Sequence, residues 1–457
     1  MPFILGASSA SDTVYSIDQS IRFNSSDEHF MYSPTPSSSK DFTTTATISM
    51  WIKLGDIGQH YLMGAFYGNS NRYNFVQIDA DGQIKESHRQ GGASTSNGTG
   101  ETLYETTQVF RDPSAWYHLV FVYDSTNAVQ SERFRLYVNG ERVTDFATSP
   151  NTKLGSGELF YWFGKSSPTI LGSYSTTTGY ADYFYWDGYM AEMHGVDGTA
   201  LNADSFGEFN SSGIWVPKEY TGSHGTDGFY IKGADANALG TNSASNGNNF
   251  TLNEIVAHDQ VPDSPTNNFC TLSKINMGSA TGVTLRDGNL DGRTSGTAGN
   301  APASISLDSG KWYYELNAHA AGSGLNAGAG ETPTGSFHHF TLGSNGNQIN
   351  TNGEDRAFST GNIVGFKLDI DGGTLEYTTD GSSYSTVEGS LTANTAYAPY
   401  MRIGATSGRG VFNFGQDSTF GGLETAGNNS DGNGVGDFYY SVPSGFLAIC
   451  TKNLGAE

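Results

Sequence analysis

The chain has 457 residues, room for two or three domains each with its own core. Its 60 Gly, 13 Pro and 13% aromatic residues describe many short strands joined by tight turns, not helices. A net charge of -23 excludes a phosphate-clamping nucleic-acid binder, and no stretch approaches the roughly 20 apolar residues that insertion into a membrane needs.

Residues 1–19 read as a short polar N-terminal arm. Strands are then expected at Ser20–Phe23, Ala46–Ile52, Tyr61–Tyr67 and Tyr73–Ile78, with Asp81-Gly82 and the loop 91–100 as punctuation. Trp116–Tyr123 and the alternating run Arg133-Phe-Arg-Leu-Tyr-Val-Asn-Gly-Glu-Arg-Val143 follow. Asn139-Gly140 supplies the positive φ angles of a type I′ turn, and Phe134, Leu136 and Val138 fall on one face. Leu159–Phe163 and Trp186–Met193 complete the series, which predicts a first antiparallel β-sandwich, or jelly roll, over 20–232.

Residues 200–209 read as a short helical turn and Gly228–Ile231 as one more strand. The Gly/Asn/Ser/Ala-rich stretch from 233, ending in the turn cluster Asp263–Asn268, reads as a connector over 233–268. A second β-sandwich is expected over 269–457. Its strands are Ser304–Leu307, Trp312–Leu316, Ser336–Leu342, Ile363–Ile370, Thr374–Tyr377, Ala398–Ile403 and Gly410–Phe414. A long exposed loop is expected at 421–436, and Gly445–Cys450 returns toward the domain's start. The fold class is therefore all-β: two tandem antiparallel β-sandwiches behind a short arm.

Cys270 and Cys450 are the two cysteines, too few for a disulfide framework and in keeping with a reducing folding compartment. Each lies in an apolar segment near one end of the second domain. Buried free thiols are one reading and a single bond clasping the domain ends is the other. The start, Met1-Pro-Phe-Ile-Leu-Gly-Ala-Ser, lacks the basic region and apolar core of a secretory signal. Assembly in the cytosol and release in a particle would fit.

The first domain resembles the concanavalin A-like (laminin G-like) jelly rolls. The resemblance rests on Ile48-Ser-Met-Trp-Ile-Lys53, Trp116-Tyr-His-Leu-Val-Phe121, Leu136-Tyr-Val-Asn-Gly140 and Trp186-Asp-Gly-Tyr-Met-Ala-Glu192. The second is similar to SPRY domains through Ser309-Gly-Lys-Trp-Tyr-Tyr-Glu315, Val364-Gly-Phe-Lys-Leu-Asp-Ile-Asp371 and Val411-Phe-Asn-Phe-Gly415. In this order the whole chain resembles two-domain structural proteins of tailed bacteriophages. Phe110-Arg-Asp-Pro-Ser-Ala-Trp-Tyr-His118, Ser205-Phe-Gly-Glu-Phe209, Asn246-Gly-Asn-Asn-Phe-Thr251 and Asp263-Ser-Pro-Thr-Asn-Asn-Phe269 carry that likeness. It implies a non-enzymatic protein on the virion exterior, assembled in the host cytoplasm beside other virion proteins and as a homo-oligomer. The role expected is an adhesin or tail-fibre component touching host surface glycans. The alternative is a capsid-decorating or particle-assembly protein with no ligand of its own.

Some concanavalin A-like folds are glycan hydrolases whose retaining forms resemble Glu-x-Asp-x-x-Glu on one strand. Here no Glu is followed two residues later by Asp, and Glu354-Asp355 would face opposite ways on a strand. His338-His339 likewise diverge, no zinc spacing occurs, and no Gly-x-Ser-x-Gly elbow anchors a nucleophile. Some relatives of the family that the first domain resembles bind calcium through loop carboxylates, which makes Asp79 and Asp81 metal candidates; Asp79-Ala-Asp-Gly82 is equally an ordinary hairpin turn. No other cofactor is implied. Sugar recognition pairs aromatic faces with small polar residues, so Tyr174, Tyr180, Tyr183 and Tyr185, around a Gly/Ser/Thr loop, are the carbohydrate-binding candidates. The loop 421–436 is a second candidate. Trp51, Trp116 and Trp312 are expected in the cores.

Overall fold

Alternation along each strand decides which side is greasy, and it builds the first unit. In Thr45–Leu54, Met50, Ile52 and Leu54 point into the core while Trp51 points out. The same split places Leu119 and Phe121 inward and Val120 and Val122 outward in Trp116–Asp124. The computed structural model describes residues 15–34, 42–67, 72–90, 101–148, 154–164, 166–175, 184–273, 281–320, 324–332, 340–343, 358–392, 394–404 and 408–455.

The chain divides into two units: Ser11–Gln260 with Ser264–Thr266, and Val261–Asp263 with Asn267–Glu457. The first holds two antiparallel sheets. One runs Glu141–Arg142, Phe134–Val138, Trp116–Asp124, Thr45–Leu54, Gly188–Asp197, Ser20–Phe23, with Phe229–Ile231 also on Gly188–Asp197. The other runs Phe146–Thr148, Glu101–Val109, Gln83–Gln90, Arg72–Ile78, His60–Phe66, Thr169–Leu171, Phe30–Tyr32, Thr251–Asn253. Met50, Ile52, Leu119, Phe121 and Met190 of one meet Met31, Met63, Val76, Ile78 and Ile84 of the other. Each such side chain removed from water contributes about 1.5–3 kcal/mol. Asn139 and Gly140 adopt φ of 48° and 81°, as an Asn-Gly hairpin turn requires.

The outward side of the first sheet is covered by the chain itself. Ala203 and Phe206 pack on Val120, Val122 and Val196, with Trp215 and Tyr220 against them. Ile17 packs on Trp51 and Ala191, so residues 15–19 of the expected arm dock on this unit. Trp51 and Trp116 therefore lie on the outward side, not between the sheets, while Trp312 is in the core of its own unit. Residues 233–260, read from the sequence as connector, contribute Leu239, Phe250 and Ile255 to the first core and a strand, Thr251–Asn253, paired with Phe30–Tyr32. Their apolar residues are too widely spaced for any periodicity to reveal them.

The second unit follows one hydrogen-bonded path: Phe340–Gly343, Asn326–Thr332, Ala396–Ile403, Asp291–Pro302, Arg409–Asn413, Lys311–Ala320, Ile363–Asp369, Thr374–Thr378, Ser385–Glu388. Asp291–Pro302 pairs with Arg409–Val411 at its start and with Tyr400–Ile403 at its end, so one long strand joins two layers. Trp312, Tyr314 and Leu316 enter the core with Phe366, Leu368, Phe412 and Met401. Tyr313 faces the other way, against Val435, Phe438, Phe446 and Ala448. The segment 421–436 is thus no free loop: Asp431 Oδ1 accepts the amides of Asn433 and Val435 at 2.9 Å, and its Oδ2 accepts those of Ala448 (2.9 Å) and the Asn453 side chain (2.7 Å). Ser304–Leu307, expected as a strand, is irregular apart from a bridge from Leu307 to Tyr397. Cys270 and Cys450 are both buried and unbonded to each other, and burial pushes the Cys450 thiol up to about 12.

Candidate functional site

The outward side of the second sheet of the first unit carries the aromatic residues. Arg72–Ile78 turns Val76 and Ile78 into the core, which sends Tyr73, Phe75 and Gln77 outward. The adjoining strand His60–Phe66 sets Tyr61 opposite Gln77 and Gly64 opposite Phe75. Phe75 lies 5.1 Å from both Tyr61 and Tyr174 and stacks on Tyr73 at 5.5 Å with 21° between planes. Tyr61 is 5.1 Å from Tyr174 and 6.2 Å from Phe184. Tyr73 and Phe75 are half-buried, whereas Phe184 is 51% exposed and holds a φ of 46°. A phenylalanine that is both in the left-handed region and open to solvent carries two costs at once, a pattern found at binding sites.

Gly64 makes the arrangement possible. A Cβ there would lie 2.7 Å from the Tyr174 ring, so the missing side chain lets that ring rest on the strand. Gly64→Ala should lift Tyr174 away and cost about 1–3 kcal/mol, because the ring is hemmed in by Tyr61 and Phe75. Chemical denaturation and the near-ultraviolet tyrosine signal would both register the change; an unchanged tyrosine signal would contradict the packing described.

The four tyrosines singled out from the sequence divide. Tyr174 is buried at the centre of this cluster. Tyr185 is half-buried and stacks on Phe30 at 6.1 Å, on the far flank of the same sheet face. Tyr180 and Tyr183 lie outside the described residues, as do His338, His339, Glu354 and Asp355. Sequence reasoning missed Tyr61, Tyr73, Phe75 and Phe184. Tyr73-Asn-Phe75 carried the period-2 signal, but both sides of that strand are apolar, so the pattern did not say which side faced out.

Asp79 serves its turn. Its Oδ1 accepts the amides of Asp81 and Gln83, each at 2.9 Å, and its Oδ2 pairs with Lys85 Nζ at 2.8 Å. Burial alone would raise this carboxyl, but Lys85 and those amides outweigh it and hold it below the usual range. Asp81 is exposed, and its carbonyl oxygen accepts from Arg111 Nε at 2.9 Å. Among the described residues no group of three or more His, Cys, Asp or Glu is arranged to hold a metal.

The most enzyme-like cluster sits on the outward side of the other sheet. Ser49 Oγ is 2.8 Å from His118 Nε2, and Trp215 Nε1 donates to His118 Nδ1 at 3.0 Å. An indole N–H can only donate, so Nδ1 is an acceptor and Nε2 carries the hydrogen toward Ser49. Burial and the charge of His194 press this imidazole down to about 3. It is thus in the wrong tautomer, and too weak a base, to take the Ser49 proton. Nearby, Glu192 Oε2 accepts from Tyr15 (2.8 Å) and Tyr230 (2.6 Å) and lies 3.4 Å from His194 Nε2. Glu192 sits at a bulge with φ 48°, where the pairing of Gly188–Asp197 with Thr45–Leu54 shifts register. Its partners hold the docked N-terminal segment and leave little room for a substrate.

The first unit is a two-sheet antiparallel jelly roll. Residues 27–204 match the Laminin_G_3 family model, described as the concanavalin A-like lectin/glucanases superfamily. No curated protein matches the sequence. Among solved structures the chain is similar to a human HERC1 SPRY domain, with 15% identity, 31% of this chain, 96% of that chain and a TM-score of 0.28. It is similar to a heptameric SAP-like pentraxin from Limulus polyphemus, with 15% identity, 42% and 80% coverage and a TM-score of 0.28. It is also similar to the CBM40 of a Ruminococcus gnavus IT-sialidase bound to alpha2,3 sialyllactose, with 13% identity, 42% and 96% coverage and a TM-score of 0.27. At these scores the likenesses add no weight to any functional reading.

Proposed function

We propose that this chain is a non-catalytic glycan-contacting protein, and that the outward aromatic face of its first unit is the contact. One observation carries the reading: Tyr61, Tyr73, Phe75, Tyr174 and Phe184 form a continuous set of rings on one sheet face, with Phe184 half exposed. Such rings offer flat apolar surface to the C–H faces of sugars, and the set holds no pair of carboxyl groups of the kind that most glycoside hydrolases use. A concanavalin A-like lectin/glucanase match over 27–204 supports the substrate class. The resemblance of the chain to tailed-phage structural proteins supports the finer reading: an adhesin or tail-fibre component on the virion exterior, homo-oligomeric and seated on other virion proteins, with bacterial surface polysaccharide as its target.

The test uses the purified chain on immobilised lipopolysaccharide O-polysaccharides and capsular polysaccharides of bacteria, with Phe184→Ala and Tyr73→Ala beside the wild type. Each ring removed should weaken binding about tenfold, the size expected for a well-placed aromatic contact. Binding by the wild type that both variants retain would move the site elsewhere. No binding, together with a fixed position on the particle shell, would favour a capsid-decorating protein. Reducing ends released from the polysaccharide would make it an enzyme.

A further inference from the structure

The exposed ring of Phe184 is held by its backbone, and among the described residues the side chain of His60 takes part in that hold. Tyr61 N donates to Phe184 O at 2.9 Å, Trp186 N donates to Gly172 O at 2.8 Å, and Gly55 N donates to Asp187 O at 2.9 Å. Between these, His60 Nδ1 is 2.7 Å from Tyr185 O. A carbonyl oxygen only accepts, so Nδ1 carries the hydrogen and donates. The His60 ring is buried and meets the Trp186 indole edge-on at 6.1 Å and 85°. His60 Nε2 has no hydrogen-bond partner among the described residues, so Nδ1 is the atom through which this ring grips the chain.

We infer that His60 is a positioning residue for the glycan contact: by fixing the Tyr185 carbonyl it keeps Phe184 in its left-handed conformation, ring outward beside Tyr61. The inference rests on the glycan reading above. The Tyr61 amide holds Phe184 O as well, and the loss of one bond from this set is enough to shift the balance. A non-glycine residue in the left-handed region is disfavoured by about the amount that one buried hydrogen bond returns. Without the His60 bond Phe184 falls back to an extended backbone, which turns its ring off the face. Because the imidazole also packs on Trp186, two substitutions separate its roles. His60→Phe keeps a ring against Trp186 and loses the donor. His60→Asn loses the ring but places an amide N–H where Nδ1 stood.

The experiment uses the full chain and two readouts: amide hydrogen exchange over 184–187 without ligand, and affinity for soluble lipopolysaccharide O-polysaccharide. H60F should exchange faster over 184–187 and bind about tenfold more weakly, with its unfolding midpoint little changed, while H60N stays within about twofold of wild type in both. Equal binding and equal exchange in H60F overturn the latch, as does a loss in H60N as deep as in H60F, which would make the ring the working part. A wild-type chain that binds no polysaccharide removes the reading beneath the inference, and that outcome is distinct from a wild type that binds while H60F binds as well.

Discussion

Replacing His88 with leucine should destabilise the first unit by about 3–5 kcal/mol, because it leaves the buried Glu86 and the half-buried Glu158 with no cation between them. Glu86 and His88 point inward from Gln83–Gln90, beside Ile84. His88 Nδ1 is 3.3 Å from Glu86 Oε1, and His88 Nε2 is 3.0 Å from Glu158 Oε2. Burial alone would lower this imidazole, but the Glu86 charge and the hydrogen bonds to Glu158 and Glu86 outweigh it and lift it to about 9. Burial raises Glu86, while the bond and charge of His88 override burial at Glu158 and pull it down. We therefore assign the cation to His88 and the anion to Glu158.

The sign of the pH dependence follows. A histidine whose folded value exceeds its unfolded 6.5 contributes fully below 6.5, and that contribution is lost as pH rises through about 9. The rise corresponds to about 3 kcal/mol. Glu86, raised by burial, acts in the same direction, since its folded carboxyl keeps its proton to a higher pH than the unfolded chain does. The lowered Glu158 contributes above its unfolded value and is lost as pH falls. Urea denaturation at pH 6, 7.5 and 9 should show stability falling toward pH 9 in the wild type, and H88L should lose most of that slope. A wild-type curve flat from pH 6 to 9 would mean His88 is not the cation.

Glu315→Ala should cost the second unit about 3–5 kcal/mol. Glu315 is the peg on which the C-terminal segment hangs. Its Oε1 accepts from Tyr440 N at 2.8 Å and Tyr313 OH at 3.1 Å; its Oε2 accepts from Tyr439 N at 2.8 Å and Asn413 Nδ2 at 3.1 Å. Burial lifts the carboxyl to about 7 against the pull of these four donors. Burial and donors thus compete, and Glu315→Gln decides between them. If the buried charge were the dominant cost, glutamine would stabilise. If the donors dominate, the new NH2 faces donors and the loss should approach that of alanine. We expect the second result, since the two backbone amides lie on different oxygens, so whichever way the glutamine turns, its NH2 faces one of them. Hydrogen exchange at Tyr439 and Tyr440 should quicken in both variants; unchanged exchange would refute the peg.

Strands whose two sides differed in polarity were legible, and so were the turns. Phe134, Leu136 and Val138 against Arg135 and Tyr137 gave both strand and hairpin, because alternation and Asn139-Gly140 agreed. Asp291–Pro302 was invisible. Its Asp-Gly-Arg-Thr-Ser-Gly-Thr-Ala-Gly-Asn-Ala-Pro run has almost no apolar signal, and it is a strand because both edges are paired, with glycines where chains press close. Asn326–Thr332 was missed for the same reason. The Asn/Gly segment 421–436 looked like solvent-exposed filler because its order comes from Asp431, which reaches Ala448 and Asn453, and from Val435, which packs on Tyr313, contacts distant in sequence. The site was half legible. Aromatic content pointed to Tyr174, but which side of Arg72–Ile78 faces solvent is fixed by the opposing sheet, and the special backbone of Phe184 by His60 and Tyr61.

The most direct test of the account is a chemical-shift map of the chain, with aromatic side chains isotope-labelled, as lipopolysaccharide O-polysaccharide is added. The prediction is shifts at Tyr61, Tyr73, Phe75, Tyr174 and Phe184, with the rings of Tyr313, Tyr314 and Phe412 in the second unit unmoved. Shifts confined to the second unit, or none at saturating polysaccharide, would contradict it.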